Sequence, residues 1–360
     1  METQNGWARL TKRPSVSLIA TVKNERPTLD AWLAGIENQS QPPDEIVIVD
    51  GGSLDGTWET LSQWRAPCDL VLLRVAGASI SFGRNLAMSK ASSDVIAITD
   101  AGTVADTNWL EKLTGPFVNA AVDVSAGFFR PAVAGAWQRS LAATTLPDSD
   151  EIQVATFLPS SRSVAIRSSW VQRGFEYPEW LDYCEDLVWD LQLKRGGARF
   201  VLSQDAVVDF AVRSDWLSFW RQYFRYARGD GKSGLFAKRH AIRYISYIIG
   251  GVVAVRARKL ELAMGAVLGC AYVYKPVVRL SRRDRLAGVR SLETLGAFLL
   301  IPAHLLIGDV AKMVGYPVGL VWRWKRFGAV GPWTSWRRIR PDGSIWHPRS
   351  TAAETPPQEV

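Results

Sequence analysis

The stretch EIVIVDGGSLDGT, residues Glu45–Thr57, decides the fold class. It begins as a continuous apolar run, ends that run at Asp50, and continues through a glycine turn into a segment with helical spacing. Similar apolar runs precede and follow it at Ser15–Val22 and Asp94–Asp100. Apolar strands that alternate with helices are typical of a parallel sheet covered on both faces. We therefore predict an α/β fold with a mostly parallel sheet flanked by helices.

Hydrophobic periodicity and turn residues predict the remaining elements. The stretch Ala134–Ser160 shows no clear period, and we predict a mobile loop around Pro147–Asp150. The other predicted strands are Asp69–Val75, Val122–Phe129 and Arg199–Phe210, and the predicted helices are Thr28–Asn38, Asp55–Trp64, Gly83–Ala91, Glu185–Arg195 and Trp216–Arg228.

Polar clusters follow three of the predicted strands, at Lys23–Glu25, Asp50–Ser53 and Asp100–Gly102. Ligands of open α/β sheets bind beyond the carboxyl ends of the strands, so these clusters predict a binding site at one sheet edge. The alternative is that glycine and aspartate simply form the turns there. Neither G-x-G-x-x-G nor a P-loop motif follows the first strand, which disfavours a dehydrogenase and a P-loop NTPase.

Five short motifs stand at these strand ends and helix starts in a fixed order. They are SLIATVKNE at 17–25, EIVIVDGGSLDGT at 45–57, GRNLA at 83–87, ITDAGTVADTNWLEKL at 98–113 and CEDLVWDLQLKRGG at 184–197. Together they resemble the family 2 glycosyltransferases of GT-A fold, in particular membrane-associated bacterial members. Each motif is weak alone, but their order and spacing make the resemblance specific. It covers residues 15–231 and not the rest of the chain.

The resemblance implies an inverting glycosyltransferase that uses a nucleotide-diphosphate sugar. Inverting transfer is a single displacement, so one base must take the proton of the acceptor hydroxyl. By resemblance that base is Asp186, with Glu185 as its catalytic neighbour. Two carboxylates at a helix start also have a simpler explanation, which is that they complement the helix dipole.

The resemblance also predicts a donor-binding pocket. Asp50 matches the first aspartate of the family's D-D-x-S turn, and Gly51 replaces the second, which leaves the nucleotide base undefined. Thr21 and Glu25 resemble residues that line the nucleoside pocket, and Arg84 resembles an arginine near the nucleotide. Arg84 would otherwise be an ordinary surface arginine on an amphipathic helix.

Asp100 matches the first aspartate of the family's metal-binding D-x-D motif, so the resemblance assigns it to both donor and metal. Gly102 replaces the second aspartate and removes a carboxylate expected at the metal. Hard ions tolerate sites completed by phosphate and water, and Asp106 is a further candidate ligand. We expect a divalent cation, Mg²⁺ or Mn²⁺. The alternatives are a metal-independent site and a chain that has lost activity.

The segment 222–226, QYFRY, resembles the family's Q-x-x-R-W motif with tyrosine in place of tryptophan. The resemblance places Gln222, Arg225 and Tyr226 near the acceptor and the diphosphate. An aromatic ring suits a sugar face, and an arginine suits a phosphate. The alternative is an ordinary membrane-facing amphipathic helix rich in aromatic residues.

Charge divides the chain into two parts. Residues 1–210 carry a net charge of −8, residues 211–350 carry +18 and the last ten carry −2, within a total of +8. The basic part contains four apolar segments, each shorter than the roughly 20 residues that span a bilayer. Because basic residues alternate with apolar segments, lipid is a better partner than nucleic acid. The segments are 242–255, 260–274, 294–308 and 310–322.

Helices lying in the cytoplasmic membrane interface fit this pattern best. A spanning hairpin of the first two segments would put the cationic stretch 256–259 outside, against the positive-inside tendency. The alternatives are one or two short spans, around 260–278 and 294–320, and a soluble helical subdomain packed on the catalytic domain. Interfacial binding would use Lys275, Arg279, Arg282, Arg283 and Arg285 on anionic headgroups, and Trp322, Trp324, Trp333, Trp336 and Trp346 as an aromatic belt.

Cysteine and histidine usage favours an intracellular site. The three cysteines are widely spaced and the three histidines scattered, which predicts neither a disulfide framework nor a zinc site and suits a reducing cytosol. The polar N-terminus lacks the apolar region of a secretory signal. We predict a flexible N-terminus at 1–14, a GT-A catalytic domain at 15–232, a basic apolar helical membrane-associated region at 233–350 and a disordered tail at 351–360.

These features predict a glycosyltransferase at the cytoplasmic face of the cytoplasmic or inner membrane. Its expected partners are a nucleotide-sugar donor, a lipid-linked or glycan acceptor and an anionic membrane surface, without nucleic acid. The competing hypothesis is a catalytically silent sugar-nucleotide-binding or scaffold protein. A nucleotidyltransferase is disfavoured because no glycine-rich, lysine-bearing phosphate loop follows the first strand.

Overall fold

The structure is a computed structural model that describes residues 13–256, 259–289 and 291–327. Most of the predicted N-terminal segment and part of the cationic stretch 256–259 lie outside these described residues. The predicted tail at 351–360 also lies outside them, as do Trp333, Trp336 and Trp346 of the predicted aromatic belt.

The described residues form an α/β body followed by three long helices. The strands are β1 Val16–Val22, β2 Glu45–Asp50, β3 Asp69–Arg74, β4 Val95–Ile98, β5 Thr103–Ala105, β6 Val124–Ala132, β7 Val164–Arg167 and β8 Phe200–Ala211. The helices are α1 Arg26–Glu37, α2 Thr57–Gln63, α3 Ile80–Lys90, α4 Trp109–Thr114, α5 Gly135–Thr145, α6 Ser168–Gln172, α7 Glu185–Arg195, α8 Trp216–Ser233, α9 Ala237–Arg256, α10 Lys259–Leu286 and α11 Ser291–Phe327.

One eight-stranded sheet runs in the order β3-β2-β1-β4-β7-β6-β8-β5. Its first four strands pair in parallel, as do β6 and β8. Strand β7 is antiparallel to both neighbours, and β5 is antiparallel to β8. The predicted α/β class is confirmed. The sheet is mixed because its second half contains short antiparallel strands that the sequence pattern did not reveal.

Strand β1 is buried on both faces, as a central parallel strand must be. Leu18 packs in one layer with Trp32 of α1, and Ile19 packs in the opposite layer with Met88 of α3. Alternate side chains point to opposite faces of a strand, which is why the run reads as continuously apolar. Strands β1, β2 and β4 run in one direction, so their carboxyl ends share one edge of the sheet.

The stretch Ala134–Ser160 is a loop only in its second part, which includes the predicted turn around Pro147–Asp150. Its first part forms helix α5, whose apolar face packs against α8, α10 and α11. The acidic turn that follows carries a capping box, in which Asp148 and Glu151 each accept from the other's backbone N–H. Its three carboxylates then pair with arginines of α10, in the pairs Asp148–Arg283, Asp150–Arg282 and Glu151–Arg279. These ion pairs engage Arg279, Arg282 and Arg283 within the protein, and their expected contact with lipid headgroups stays a prediction.

Helix α11 joins two of the predicted apolar segments, 294–308 and 310–322, into one element. Gly308 and Asp309 do not interrupt it, because Gly308 faces Phe219 of α8 and Asp309 is buried in ion pairs. Of the described helices, the part of α11 at Glu293–Phe327 is long and apolar enough to cross a bilayer, and a third of its most apolar window is buried against the protein. The premise that every segment is too short to span is therefore wrong for α11.

Helices α8 and α11 cross at glycines, in close backbone contact. A Cβ added at Gly319 would lie 2.2 Å from the carbonyl oxygen of Arg228, and one at Gly315 would lie 2.2 Å from that of Phe224. Likewise, a Cβ added at Gly231 of α8 would lie 2.3 Å from the carbonyl oxygen of Tyr316. Only glycine permits this separation, so α11 lies directly against the helix that carries the QYFRY segment.

Candidate active site

Arg84 joins two of the predicted site elements. It lies on α3 and is 2% exposed, so it is not a surface arginine. Its guanidinium donates to Asp100 at the end of β4, at 2.7 Å, and to Glu185 at the start of α7, at 2.8 Å. The guanidinium carbon of Arg84 lies 5.2 Å from the centroid of the Tyr177 ring. Arg84 thereby joins the end of β4 and the start of α7 in one charged cluster, although Glu185 lies 101 positions after Arg84 in the chain.

Asp186 and Glu185 form the first turn of α7. Burial and the neighbouring Asp186 charge raise the pKa of Glu185 to about 7, against the lowering effect of Arg84. Burial also raises the pKa of Asp186, while the charges of Arg84 and Arg162 lower it. Among the described residues, Asp186 accepts a hydrogen bond only from the backbone N–H of Leu187. Its carboxylate is therefore not tied to another side chain, in contrast to Glu185.

Arg162 is a site residue that sequence reasoning missed. It lies just before β7, and its positive charge acts on Asp100, Asp186 and Tyr226, with a hydrogen bond to Tyr226. Its guanidinium stacks over the ring of Phe210 at 4.9 Å. The residue stands in the sequence SSRS without any motif around it, so nothing in the sequence could have singled it out. Arg84 and Arg162 together place two fixed positive charges beside Asp100 and Asp186.

The segment 222–226 on α8 reaches the same cluster. Gln222 donates to the hydroxyl of Tyr226 at 2.9 Å, and that hydroxyl also meets Arg162. Arg225 instead donates to the hydroxyl of Tyr183 at 3.1 Å. The structure thus brings Gln222 and Tyr226 to the cluster directly, and Arg225 to the turn that precedes α7.

The turn before α7 has a strained residue that fixes where the helix begins. Cys184 has a φ of +65°, in the left-handed region. Its sulfur contacts the carbonyl oxygen of Tyr226 and a carboxylate oxygen of Asp230. Gly229 of α8 allows this approach, because a Cβ there would lie 2.7 Å from the carbonyl oxygen of Tyr183. Packing by α8 therefore positions Glu185 and Asp186.

Asp50 lies apart from this cluster. It is fully buried, accepts from the backbone of Gly52 and from the backbone and hydroxyl of Ser53, and pairs with Arg74 at 3.4 Å. These contacts stabilise the turn after β2. The alternative explanation, that this aspartate forms a turn, therefore accounts for the contacts of its carboxylate. The turn itself lies at the shared edge of the sheet.

Thr21 and Glu25 lie at the end of β1, beside the same edge. Burial raises the pKa of Glu25, and the charge of Asp100 adds to this effect, which places the two carboxylates near each other. The hydroxyl oxygen of Thr21 is buried and has no hydrogen-bond partner among the described residues. It faces Gly83, where an added Cβ would meet the hydroxyl at 2.8 Å. Gly83 of the GRNLA motif thus lets α3 approach β1 and carry Arg84 to the site.

The residues available for a metal are few. Asp100 is the one carboxylate of the D-A-G segment; its side chain is 28% exposed, and Arg84 occupies one of its oxygens. Asp106 pairs with Arg130, which also holds Asp209, so Asp106 is engaged elsewhere. Within the described ranges, no three His, Cys, Asp or Glu side chains gather as a metal site. A divalent ion would therefore have Asp100 as its protein ligand and would need oxygens from a bound phosphate.

Fold and site together define a GT-A-like domain with carboxylates and guanidinium groups at the carboxyl edge of its sheet. Residues 17–169 match the family model described as Glycosyl transferase family 2. The matched residues are thus similar to the family that the five motifs resemble, and that resemblance is confirmed. The match ends before α7, so it includes neither Asp186 nor the segment 222–226.

Two known proteins are similar to this chain. Glycosyltransferase AglE of Haloferax volcanii is 25% identical over 230 residues, which are 60% of this chain and 73% of that protein. The mannosyltransferase PcManGT of Pyrobaculum calidifontis, solved in complex with GDP-Man and Mn²⁺, is similar with a TM-score of 0.51. It is 18% identical, and the superposition covers 89% of this chain and 91% of that chain. The first likeness supports glycosyltransferase activity, and the second shows the fold.

Proposed function

We propose that this protein transfers a sugar, with inversion, from a nucleotide-diphosphate sugar to a membrane-resident acceptor, and that Asp186 is the general base. The observation that carries the proposal is the convergence of Asp186, Asp100, Arg84 and Arg162 with Tyr226 of α8 at one sheet edge. A base, counter-charges for a diphosphate and an aromatic platform for a sugar are the groups that this reaction needs.

Asp186, Arg162 and Arg84 have separate roles in the displacement. The Asp186 carboxylate takes the proton of the acceptor hydroxyl as the oxygen forms its bond to the anomeric carbon. The bond from that carbon to the diphosphate oxygen breaks, and the diphosphate leaves with the electron pair. Arg162, whose charge already acts on Asp100, neutralises the negative charge that develops on the leaving group. Arg84 keeps Asp100 and Glu185 in place.

Opposing effects on Asp186 suit a base. Burial raises its pKa and so strengthens its affinity for a proton, while Arg84 and Arg162 keep the carboxylate ionised. Glu185, with a pKa of about 7 and a direct ion pair to Arg84, serves as a positioning residue beside it. This difference between two adjacent carboxylates supports the assignment of the base to Asp186.

A divalent cation, Mg²⁺ or Mn²⁺, fits the proposal through Asp100 and the donor's own phosphate oxygens. Such ions are commonly held by one or two carboxylates together with substrate phosphates. The likeness to a mannosyltransferase solved with GDP-Man and Mn²⁺ is consistent with this donor class and ion. When bound, the ion would neutralise diphosphate charge. Gly102 replaces the second carboxylate that would hold the ion. Arg162 supplies a positive charge that is present whether or not the ion is bound.

We propose that the protein lies at the cytoplasmic face of a membrane; the exposed apolar side chains of its C-terminal helices support contact with lipid. We propose that residues 15–232 form the catalytic domain and that residues 233–350 form the membrane-associated region, which faces an anionic surface. Helices α9, α10 and α11 expose many large apolar side chains, which an interface with lipid would cover. An acceptor held in such a membrane, either lipid-linked or a glycan, would approach the site along α8 and α11.

The departure at Asp100–Gly102 favours one competing function, a catalytically silent sugar-nucleotide-binding or scaffold protein at the membrane. Such a protein would bind the donor and release no nucleoside diphosphate. The two hypotheses therefore differ in turnover and not in binding.

The test is Asp186→Asn in the full-length, detergent-solubilised protein. We expect transfer to fall at least about 100-fold, because a general base contributes on this order, while donor binding persists. Release of nucleoside diphosphate is measured against a panel of nucleotide sugars, and donor binding by titration calorimetry. Asp205→Asn, a change at an exposed aspartate of β8, is the control and should behave as wild type. Wild-type turnover in Asp186→Asn would refute the base, and no turnover in wild type with any donor would favour the silent protein.

A further inference from the structure

A cluster of three positive charges around one carboxylate lies between α9 and α11, and we call Arg239, Arg243, Lys312 and Asp309 the junction cluster. Arg243 pairs with Asp309 at 2.9 Å, and Lys312 pairs with it at 3.4 Å. Arg239 lies one turn before Arg243, and its charge acts on Lys312. The cluster therefore has more positive than negative charge.

Neighbouring groups fix the carboxylate and one of the arginines in position. The hydroxyls of Tyr247 and Tyr272 both donate to Asp309. Arg243 donates to Nδ1 of His240 at 3.1 Å, and the other ring nitrogen meets Asp230 at 2.9 Å. Asp309 is thus saturated by donors, so it cannot also neutralise Arg239. The side chain of Lys312 is 23% exposed and Arg239 is exposed, so both can meet a ligand.

The junction cluster is connected to the candidate active site by aromatic contacts. Lys312 stands 4.9 Å from the ring centroid of Tyr223, on α8. The rings of Tyr223 and Tyr226 are 5.7 Å apart, and Tyr226 meets Arg162. The charges of both Arg239 and Arg162 act on Tyr223, which therefore lies between the two groups of cations. Aromatic side chains of this kind suit the faces of sugar rings.

Exposed apolar side chains also lie on the two helices that carry the junction cluster. Ile242 and Ile245 of α9 are exposed, and so are Leu306, Val310 and Val314 of α11. Positive charge on helices that also expose apolar side chains, next to the aromatic contacts, suits a ligand that combines an apolar chain, an anionic group and a sugar.

We propose that the junction cluster binds the phosphate group of a lipid-anchored acceptor, with Arg239 and Lys312 as its contacts. This inference rests on the proposed function, because it orients the acceptor with its lipid chain along α9 and α11 and its sugar end toward Tyr226 and Asp186. Arg243 and Asp309 position Lys312 and are not expected to contact the phosphate themselves.

The experiment measures binding of a long-chain polyprenyl monophosphate to the full-length protein in detergent, without donor. Matched arms use the polyprenol of equal length, phosphatidylglycerol vesicles and inorganic phosphate. Arg239→Gln and Lys312→Gln should each weaken polyprenyl phosphate binding about tenfold, as expected for one lost charge-assisted contact, and should leave polyprenol binding unchanged. Lys312→Arg should retain binding. Lys325→Gln, at an exposed cation near the end of α11, is the control for general charge.

Each outcome decides the inference. Equal losses in Lys325→Gln, or losses that are as large for phosphatidylglycerol, would overturn it in favour of general attraction to anionic lipid. Unchanged binding in Arg239→Gln would also overturn it, and this exposed position does not disturb Asp309. Inorganic phosphate bound as tightly as the lipid phosphate would overturn the lipid assignment. Because no turnover is measured, the result is separate from that of Asp186→Asn, and either proposal can fail alone.

Discussion

Arg162 controls the charge around Asp186 from a position outside every recognised motif. Its guanidinium lowers the pKa of Asp186 and lies beside Asp100 and Tyr226. In the proposed function, the same group keeps Asp186 ionised before transfer and neutralises the leaving diphosphate during it. Both effects depend on its charge and its position, which can be separated by substitution.

Arg162→Met should lower kcat at least about 100-fold, as expected for loss of a fixed group that stabilises developing negative charge. Because Arg162 lowers the pKa of Asp186, its removal raises that pKa and moves the acid limb of the pH–rate profile to higher pH. Arg162→Lys should restore part of kcat and return the limb toward its original position. Kinetics over pH provide the measurement. A loss of kcat with an unmoved acid limb would contradict electrostatic coupling to Asp186.

Asp190 is a buried carboxyl group of α7 whose ionisation lowers the stability of the folded protein. It is 1% exposed, and its Oδ2 has no hydrogen-bond partner among the described residues. Burial and the charge of Asp186, one turn before, raise its pKa well above the usual value. The folded state therefore binds this proton more tightly than the unfolded state. Stability from this group is fully present below its unfolded pKa of 3.8 and is lost as pH rises toward the folded pKa.

Asp190→Asn should consequently gain stability relative to wild type as pH rises. The limit is about 1.4 kcal/mol for each pH unit within that window. Melting temperatures of both proteins at pH 5 and pH 8, in the same detergent, test this. Asp205→Asn should show no such trend, because Asp205 is exposed. If Asp190→Asn loses stability equally at both pH values, the buried carboxyl group has a partner that the asparagine cannot replace.

At the scale of elements, the crossing of α8 and α11 links the C-terminal helices to the candidate active site. The two helices touch at backbone level through Gly231, Gly315 and Gly319. The opposite face of α8 carries Tyr226 and supports the turn before α7 through Gly229. A shift of α11 would therefore move α8 and, with it, the start of the helix that bears Asp186.

Gly319→Ala should destabilise this crossing by about 1–3 kcal/mol, because overpacked contacts against backbone cost on this order. Its Cβ would lie 2.2 Å from the carbonyl oxygen of Arg228. Gly250→Ala on α9 is the matched control, since no described atom lies within 4 Å of its Cβ, and it should be neutral or slightly stabilising. Melting temperature and transfer rate are measured for both. Equal behaviour of the two variants would show that α11 can separate from α8 without consequence.

Elements with strong local patterns could be predicted from the sequence, and those that depend on distant partners could not. Strand β2 and helix α7 have the bounds that the sequence predicts, because an apolar run and a Glu-Asp start define them locally. Helix α5 was missed because its apolar face is small and is covered by α10 and α11, far along the chain. Strand β7 is only four residues long. Arg162 precedes β7, so the site residue and the strand that places it were missed together.

At the scale of the whole molecule, ion pairs within the protein neutralise part of the charge difference between the two parts of the chain. The acidic turn at Asp148–Glu151 belongs to the negative part of the chain, and it pairs with arginines from the positive part. The remaining surface of the last three helices is apolar along one side of α11, where its large exposed side chains recur at helical spacing. Such a stripe is typical of a helix that contacts lipid on one face and protein on the other.

The protein should therefore float with phosphatidylglycerol-containing vesicles in a density gradient, and Leu299→Glu combined with Val314→Glu should reduce the bound fraction. These side chains are 73% and 46% exposed on α11, and each introduced charge costs about 2–3 kcal/mol if placed in the bilayer. Val118→Glu, at a 56% exposed position before β6, is the matched control and should float as wild type. Extraction at alkaline pH separates the two membrane modes, because an interfacial protein is released and a spanning one is retained. Equal flotation of the double variant and the control would show that this face of α11 does not contact lipid.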